Sequence, residues 1–418
     1  MVGKKIPRSP LAPEHFPKLA EIAELGLNVF ETGSRYRGRD DLLVITLPAK
    51  ASIAGVFTKS SMPSAAVDLC KEHLSQSKGR VRAIIINAGI ANAFTGKQGQ
   101  ASAETVTAAC ASLLGVEPHH VYMASTGVIG EDLDPSPLVS AMMSGLDKSE
   151  DNQDWLSAAE AICTTDTFAK GATGAAKFGK HRVSINVIAK GSGMVAPDMA
   201  TMLAFGFTDA AIPAGLLQKI IRDINEESFN AITVDGDTST SDTLLFCATG
   251  EKPLGGAALR SVNDPRLAAF KKELKRIMQD AAIQVASDGE GASKLMTIEV
   301  SGAANDASAR KIALAIGNSP LVKTAVAGED ANWGRIVMAV GKSGERADRD
   351  LLNIKIGGHH VARKGRAING YDETLVAAHM REARIKLEIN VGVGKGRARV
   401  WACDLTHGYI SINADYRS

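Results

Sequence analysis

The sequence predicts a layered α+β protein, and three observations carry that prediction. Helical and strand periodicities alternate along the chain, with antiparallel signals mixed among the helices, which disfavours a doubly wound parallel sheet. Near the end, Ile385, Leu387, Ile389, Val391 and Val393 recur at every second position, the period of a half-buried strand. Glycine is plentiful, 40 of 418 residues, while aromatics make up 5%, so tight turns and aliphatic packing are expected.

Taken in order, Val81–Ile86 (VRAIII) is an apolar run suited to a buried strand that enters the loop NAGIANAFTGKQG. Val106, Cys110, Leu113 and Leu114 follow at helical spacing, and Gly115 is the expected stop. Leu216, Leu217, Ile220, Ile221 and Ile224 form a second amphipathic helix. Leu267, Phe270, Leu274, Ile277, Met278, Ala281 and Val285 form a longer one, with Lys271, Lys272, Lys275 and Arg276 on its solvated face. After the strand at 385–393, Gly394-Lys395-Gly396 turns the chain into ARVWACD, and YISIN follows, so a β-meander is expected.

Composition narrows the function. Lys and Arg total 48 against 46 Asp and Glu, a balance that argues against nucleic acid as a partner. The five cysteines (Cys70, Cys110, Cys163, Cys247, Cys403) are scattered without metal-ligand spacing, so neither a disulfide framework nor a zinc site is expected. The basic start, MVGKKIPRSP, runs into prolines and does not read as a secretory signal. No apolar run of about 18 residues occurs, so no membrane span is expected. A reduced, cytoplasmic protein is the expectation.

Four familiar patterns fail. Gly341-Lys342-Ser343 ends like a phosphate loop, but Ile336 stands where its first glycine belongs. Gly392, Gly394 and Gly396 lie between two expected strands instead of opening a helix. The run Asp235–Asp242 (DGDTSTSD) has the alternating acids of a calcium loop, yet Thr240 replaces its glycine and Phe246 its bidentate glutamate. The adjacent pairs His119-His120 and His359-His360 point in divergent directions and make poor joint ligands.

KGSGMVAPDMATMLAF, Lys190 to Phe205, is different. Its plain reading is a loop capped by a helix start, with Pro197 and Asp198 in the first turn. Its chemical reading places Thr201 after the small Ala200 in a glycine-rich loop. There a threonine hydroxyl can attack the preceding carbonyl, and hydrolysis of the resulting ester frees a Thr N-terminus. An α-amine of pKa about 8 then serves as base for its own hydroxyl.

With this stretch, the motifs NAGIANAFTG (87–96), ASTGVIGE (124–131), TTDTFAK (164–170), ITVDGDTSTSDT (232–243), SDGEGASKL (287–295), GEDANWGRI (328–336) and NADYRS (413–418) resemble the glutamate N-acetyltransferase, or ornithine acetyltransferase, family along essentially the whole chain. Ala169 and Ser241 depart from it, where the family favours proline and asparagine. The resemblance implies a two-lobed α/β sandwich, of the kind ornithine acetyltransferases and related aminopeptidases share. It implies cleavage between Ala200 and Thr201 into an α chain (1–200) and a β chain (201–418), and an assembly of two of each.

Residue by residue, it implies Thr201 as nucleophile, Thr126 and Gly127 as the oxyanion hole, and Thr167, Lys190, Thr201, Glu290, Asn413 and Ser418 as substrate contacts. Read from its residues alone, Ser125-Thr126-Gly127 is a turn. On this expectation Lys190 meets a substrate carboxylate and Glu290 an ammonium. The implied reaction takes acetyl from N2-acetyl-L-ornithine and passes it to L-glutamate, with no metal or redox cofactor; some members of the family also accept acetyl-CoA. Two rivals stand beside it, a self-processed amidase or aminopeptidase that gives the acyl group to water, and a binding protein that never cleaves.

Overall fold

The computed structural model describes residues 7–146, 153–196, 202–368 and 370–415. Strands β1 (Gly26–Phe30) and β2 (Leu42–Thr46) open a first sheet; β3 (Ser52–Phe57) departs to a second, and helix α1 (Ala65–Ser77) follows. Strand β4 (Ala83–Ile90), helix α2 (Gly96–Leu114), strand β5 (Val121–Val128) and helix α3 (Pro135–Gly145) complete the first layer pair. This sheet has the order β1-β2-β4-β5, with β4 and β5 parallel. Gly115 closes α2 at φ 65°, its N–H reaching the Ala111 and Ser112 carbonyls, as the sequence pattern demands.

Helix α4 (Trp155–Ala161) leads into the hairpin β6 (Lys170–Phe178) and β7 (His181–Lys190); β8 (Leu203–Ala210) and α5 (Ala214–Asn225) follow. The short β9 (Ile232–Thr233) precedes β10 (Thr243–Lys252) and the long helix α6 (Ala268–Ser287). The second sheet runs β3-β10-β8-β7-β6.

Alternation along these strands builds four layers. Leu42, Val44, Ile85 and Met123 face the α1–α3 helices, while Leu43, Ile45, Ile84, Ile86 and Tyr122 point inward, against Phe205, Phe207, Leu245 and Cys247 of the second sheet. The opposite face of the second sheet, with Val187, Ala204, Leu244 and Phe246, buries α5 and α6 through Ile221, Phe270, Leu274 and Ile277. Helices, sheet, sheet, helices: this is the layered sandwich the sequence predicts.

A second lobe holds β11 (Leu295–Ala303), α7 (Asp306–Gly317), α8 (Pro320–Ala327), α9 (Trp333–Gly341), β12 (Asn353–Ile356), β13 (His359–Arg363), β14 (Arg366–Ala367), α10 (Glu373–Met380), β15 (Arg384–Asn390), β16 (Gly396–Cys403) and α11 (His407–Asp415). Its sheet runs β14-β13-β12-β15-β11-β16-β9. Ile385, Leu387 and Ile389 face its core with Met296, Ile298 and Val300.

Two expectations for this region need correction. β15 and β16 do not form a meander, because β11 lies between them, parallel to one and antiparallel to the other. The connection wraps the end of β11 and bonds to it, Val391 N to Ser301 O at 3.0 Å and Val393 N to Gly302 O at 2.7 Å. YISIN is helical, within α11. Thr406 caps that helix, its Oγ1 accepting the Gly408 N–H at 3.0 Å, and local capping overrides the apparent alternation.

Position 200/201 is not a border between lobes. The second sheet takes β3, β6 and β7 from one side of it and β8 and β10 from the other. All five cysteine thiols are buried. Among the described residues, no helix is long and apolar enough to cross a membrane.

Candidate active site

β7 and β8 are antiparallel neighbours, and Lys190, the last residue of β7, pairs with Leu203, the first of β8. The chain therefore leaves the sheet at Lys190 and returns to the same point, having passed through 191–202. The described residues after this loop form a strand, not the helix that its plain reading suggested. Thr201, Ala200, Pro197 and Asp198 lie outside the described residues, as does Ser418. Both flanks of the loop are held by the DGDTSTSD run. Asp235 accepts the N–H groups of Met194 (2.6 Å) and Val195 (2.8 Å), and Asp242 Oδ1 accepts that of Met202 at 3.2 Å.

Facing this loop is the end of β5. Ser125, Thr126 and Gly127 belong to the strand rather than to a turn, and Ala88 and Gly89 of β4 lie beside Thr126 and Gly127. Gly127 has φ 129°, and a Cβ there would stand 2.2 Å from the Gly89 carbonyl carbon, so the position admits no side chain. Lys190 bridges the two sheets. Its buried ammonium donates to Thr126 Oγ1 at 2.9 Å and to Thr164 Oγ1 at 2.8 Å. Burial lowers the Lys190 pKa, and Asp166 works against that effect.

Glu290 approaches from the other half of the sequence. Its N–H donates to Ser192 O at 2.8 Å, and Asn413 Nδ2 donates to its Oε2 at 2.8 Å. A Cβ on Gly193 would lie 2.5 Å from that same Oε2, so the loop glycine leaves room for the carboxylate. Burial raises the Glu290 pKa, with the Asn413 hydrogen bond opposing the rise. The structure thus gathers Thr126, Gly127, Lys190, Glu290 and Asn413 around the loop that carries Thr201.

Thr167 is engaged differently. Its N–H and Oγ1 both donate to the Asp288 carboxylate, at 2.8 and 2.5 Å, and its Oγ1 accepts the Ser9 N–H at 2.9 Å. Sequence reasoning missed the buried network beneath. Lys170, fully buried, donates to Asp166 and Asp288, both at 2.6 Å. Asp166 in turn accepts the Gly191 N–H at 2.7 Å. Burial would raise the Asp166 pKa, yet Lys170 and Lys190 hold it below the usual carboxylate range. The Asp166–Lys170 spacing of four is visible in the sequence but does not mark a buried pair. Nothing local announces Asp288 as the third member.

A loop that runs through Thr201, a strand-end hydroxyl and amide, and two opposite charges on a layered sandwich fit an acyl-transfer enzyme. The ArgJ family model matches residues 27–418. The chain belongs to the ArgJ family, enzymes of arginine biosynthesis. The arginine biosynthesis bifunctional protein ArgJ of Bradyrhizobium diazoefficiens is 51% identical over 411 residues, 98% of this chain and 99% of its own. That of Nitrobacter winogradskyi is 50% identical over 413 residues, again 98% and 99%. Among solved structures, Bacillus halodurans ArgJ is 42% identical, spanning 50% of this chain and 96% of its own, with a TM-score of 0.47.

Proposed function

We propose that this enzyme moves acetyl from N2-acetyl-L-ornithine to L-glutamate through an acetyl-Thr201 intermediate, after cleaving itself between Ala200 and Thr201. The observation that carries this reading is the Lys190–Thr126 hydrogen bond beside the loop through Thr201. An ammonium can only donate, so Thr126 Oγ1 accepts from it, and the Thr126 proton is left to point elsewhere. That proton and the Gly127 N–H are the two donors for the oxyanion formed when Thr201 attacks the acetyl carbonyl. The freed α-amine of Thr201, with a pKa of about 8, takes the hydroxyl proton.

Ornithine leaves, glutamate enters, and its amine takes the acetyl group. Lys190 has one N–H beyond those given to Thr126 and Thr164, and it serves the substrate carboxylate; Glu290, oriented by Asn413, meets the ornithine ammonium. Thr167 and the terminal Ser418 complete the substrate contacts. The chemistry assigned to these side chains calls for no metal or redox group, and acetyl-CoA is a second acetyl donor on this reading. The working form is two α and two β chains in the cytoplasm.

The test is to incubate the purified protein with N2-acetyl-L-ornithine, with and without L-glutamate, and to follow products by mass spectrometry. N-acetylglutamate formed in step with ornithine supports acetyl transfer. Free acetate released at the same rate without glutamate would mean a hydrolase instead.

A further inference from the structure

The two amino acids of the proposed reaction carry opposite charges at the place assigned to Glu290. The side-chain nitrogen of ornithine and the side-chain oxygens of glutamate stand the same number of bonds from Cα. One is an ammonium, the other a carboxylate. A fixed negative charge that holds the first repels the second from the same place.

The surroundings of Glu290 suit either charge. Its half-buried carboxyl accepts from two neutral donors, Asn413 Nδ2 at 2.8 Å and the Thr165 hydroxyl. Lys190 acts on it from the end of β7 but donates to Thr126 and Thr164, and among the described residues no cation pairs with Glu290. Asp288, two residues earlier, is taken by Lys170 and Thr167. The other acid acting on Glu290 is Asp235, which accepts the N–H groups of Met194, Val195 and Asp237 and, at 3.3 Å, the Tyr409 hydroxyl of α11. Burial opposes the charge on Asp235, but these four donors fill its oxygens and leave no place for a proton. Burial and Asp235 together keep the Tyr409 phenol neutral. Glu290, with two donors, has room for a proton. Burial pushes its carboxyl above the ordinary value, with Asn413, Thr165 and Lys190 opposing and Asp235 adding to the rise.

We propose that Glu290 is ionised when it holds the ornithine ammonium and protonated when it holds the glutamate side-chain carboxylate, with which it shares that proton. The proposal rests on the reading of the enzyme as a carrier of acetyl from ornithine to glutamate. Water supplies the proton as glutamate replaces ornithine and takes it back as the next acetylornithine enters, so a turnover leaves the count unchanged. Acceptor choice then follows pH: a rise favours ornithine, a fall favours glutamate.

The experiment compares two exchange reactions, labelled ornithine into N2-acetyl-L-ornithine and labelled glutamate into N-acetyl-L-glutamate, in wild type and Glu290→Gln. Acetyl-Thr201 chemistry is common to both, so the ratio of kcat/KM for the two acceptors isolates the side-chain contact. It is followed from about pH 5.5 to about pH 7.5, below the titration of either substrate's amine. The glutamate-to-ornithine ratio is expected to fall about tenfold per pH unit in the wild type, the slope of one proton. In Glu290→Gln it should be flat and, at the upper end of the range, about tenfold or more higher, because an amide donates to a carboxylate but cannot pair an ammonium. A wild-type ratio that falls by less than about threefold per pH unit overturns the proposal, whatever the variant does. So does a Glu290→Gln protein that keeps the wild-type slope. A wild type that exchanges ornithine but not glutamate defeats the acetyl-transfer reading itself, and the proposal with it.

Discussion

Thr126 accepts from an ammonium that has no lone pair to offer, and the direction of its own proton follows from that constraint. Removing the hydroxyl, as in Thr126→Ala, is expected to lower kcat by about 10²- to 10³-fold with little change in KM, the signature of a donor used in the transition state. Thr126→Ser should keep most of the rate; equal losses in both variants would discard the donor role. Gly127→Ala belongs to the same scale. Its Cβ would meet the Gly89 backbone at 2.2 Å, and its φ lies where L side chains are strained. A destabilisation of about 3 kcal/mol or more is expected in a denaturant titration.

The protonation of Asp242 has a sign that stability can report. Its folded pKa is raised, so the contribution is fully present below the unfolded value, about 4, and is lost as pH climbs through the folded pKa. In an uncleavable Thr201→Ala background, the stability of Asp242→Asn relative to its parent should therefore increase from pH 4 to pH 8. A flat difference across that range would mean an unshifted carboxyl.

At the scale of elements, the buried network joins the start of β6 to the end of α6. Asp288 caps α6 at its C-terminus, where the helix dipole disfavours a negative charge, and Lys170 offsets that charge from β6. Asp166 carries the link onward to the Gly191 N–H, at the point where the loop leaves β7. Lys170→Met strands two carboxylates in a dry interior and is expected to cost about 3–5 kcal/mol, read from the urea midpoint. The loss should reach catalysis too, since the network sets the loop beside Lys190; an unaltered kcat in the folded variant would separate the network from the site.

Across the whole molecule, the second sheet interleaves strands from both sides of residue 200. β7 pairs with β8 along Ile185–Lys190, and β3 pairs with β10. Ser9 Oγ also donates to Ser287 O at 2.7 Å, tying the early chain to the end of α6. The proposed cleavage at 200/201 would therefore leave these strand pairings and the cores they build in place. The two chains should co-elute in size-exclusion chromatography and separate on a denaturing gel. Resolution into two native species would contradict a shared sheet.

Much of this was legible in the residues. The 3.6 and 2.0 periods located α2, α5, α6 and β15, because each rests on one apolar face that the chain itself encodes, and the continuous apolar run VRAIII located β4, which is buried on both faces. The glycine-rich stretch before Thr201 stands apart through its local chemistry alone. What the sequence could not determine was adjacency. That β11 separates β15 from β16, that Lys190 reaches Thr126 across two sheets, and that Lys170 meets Asp288 all depend on contacts distant in the chain. Such pairs leave no local pattern; they become neighbours when apolar faces stack into layers, and the buried charges then have to find partners or protons where they are.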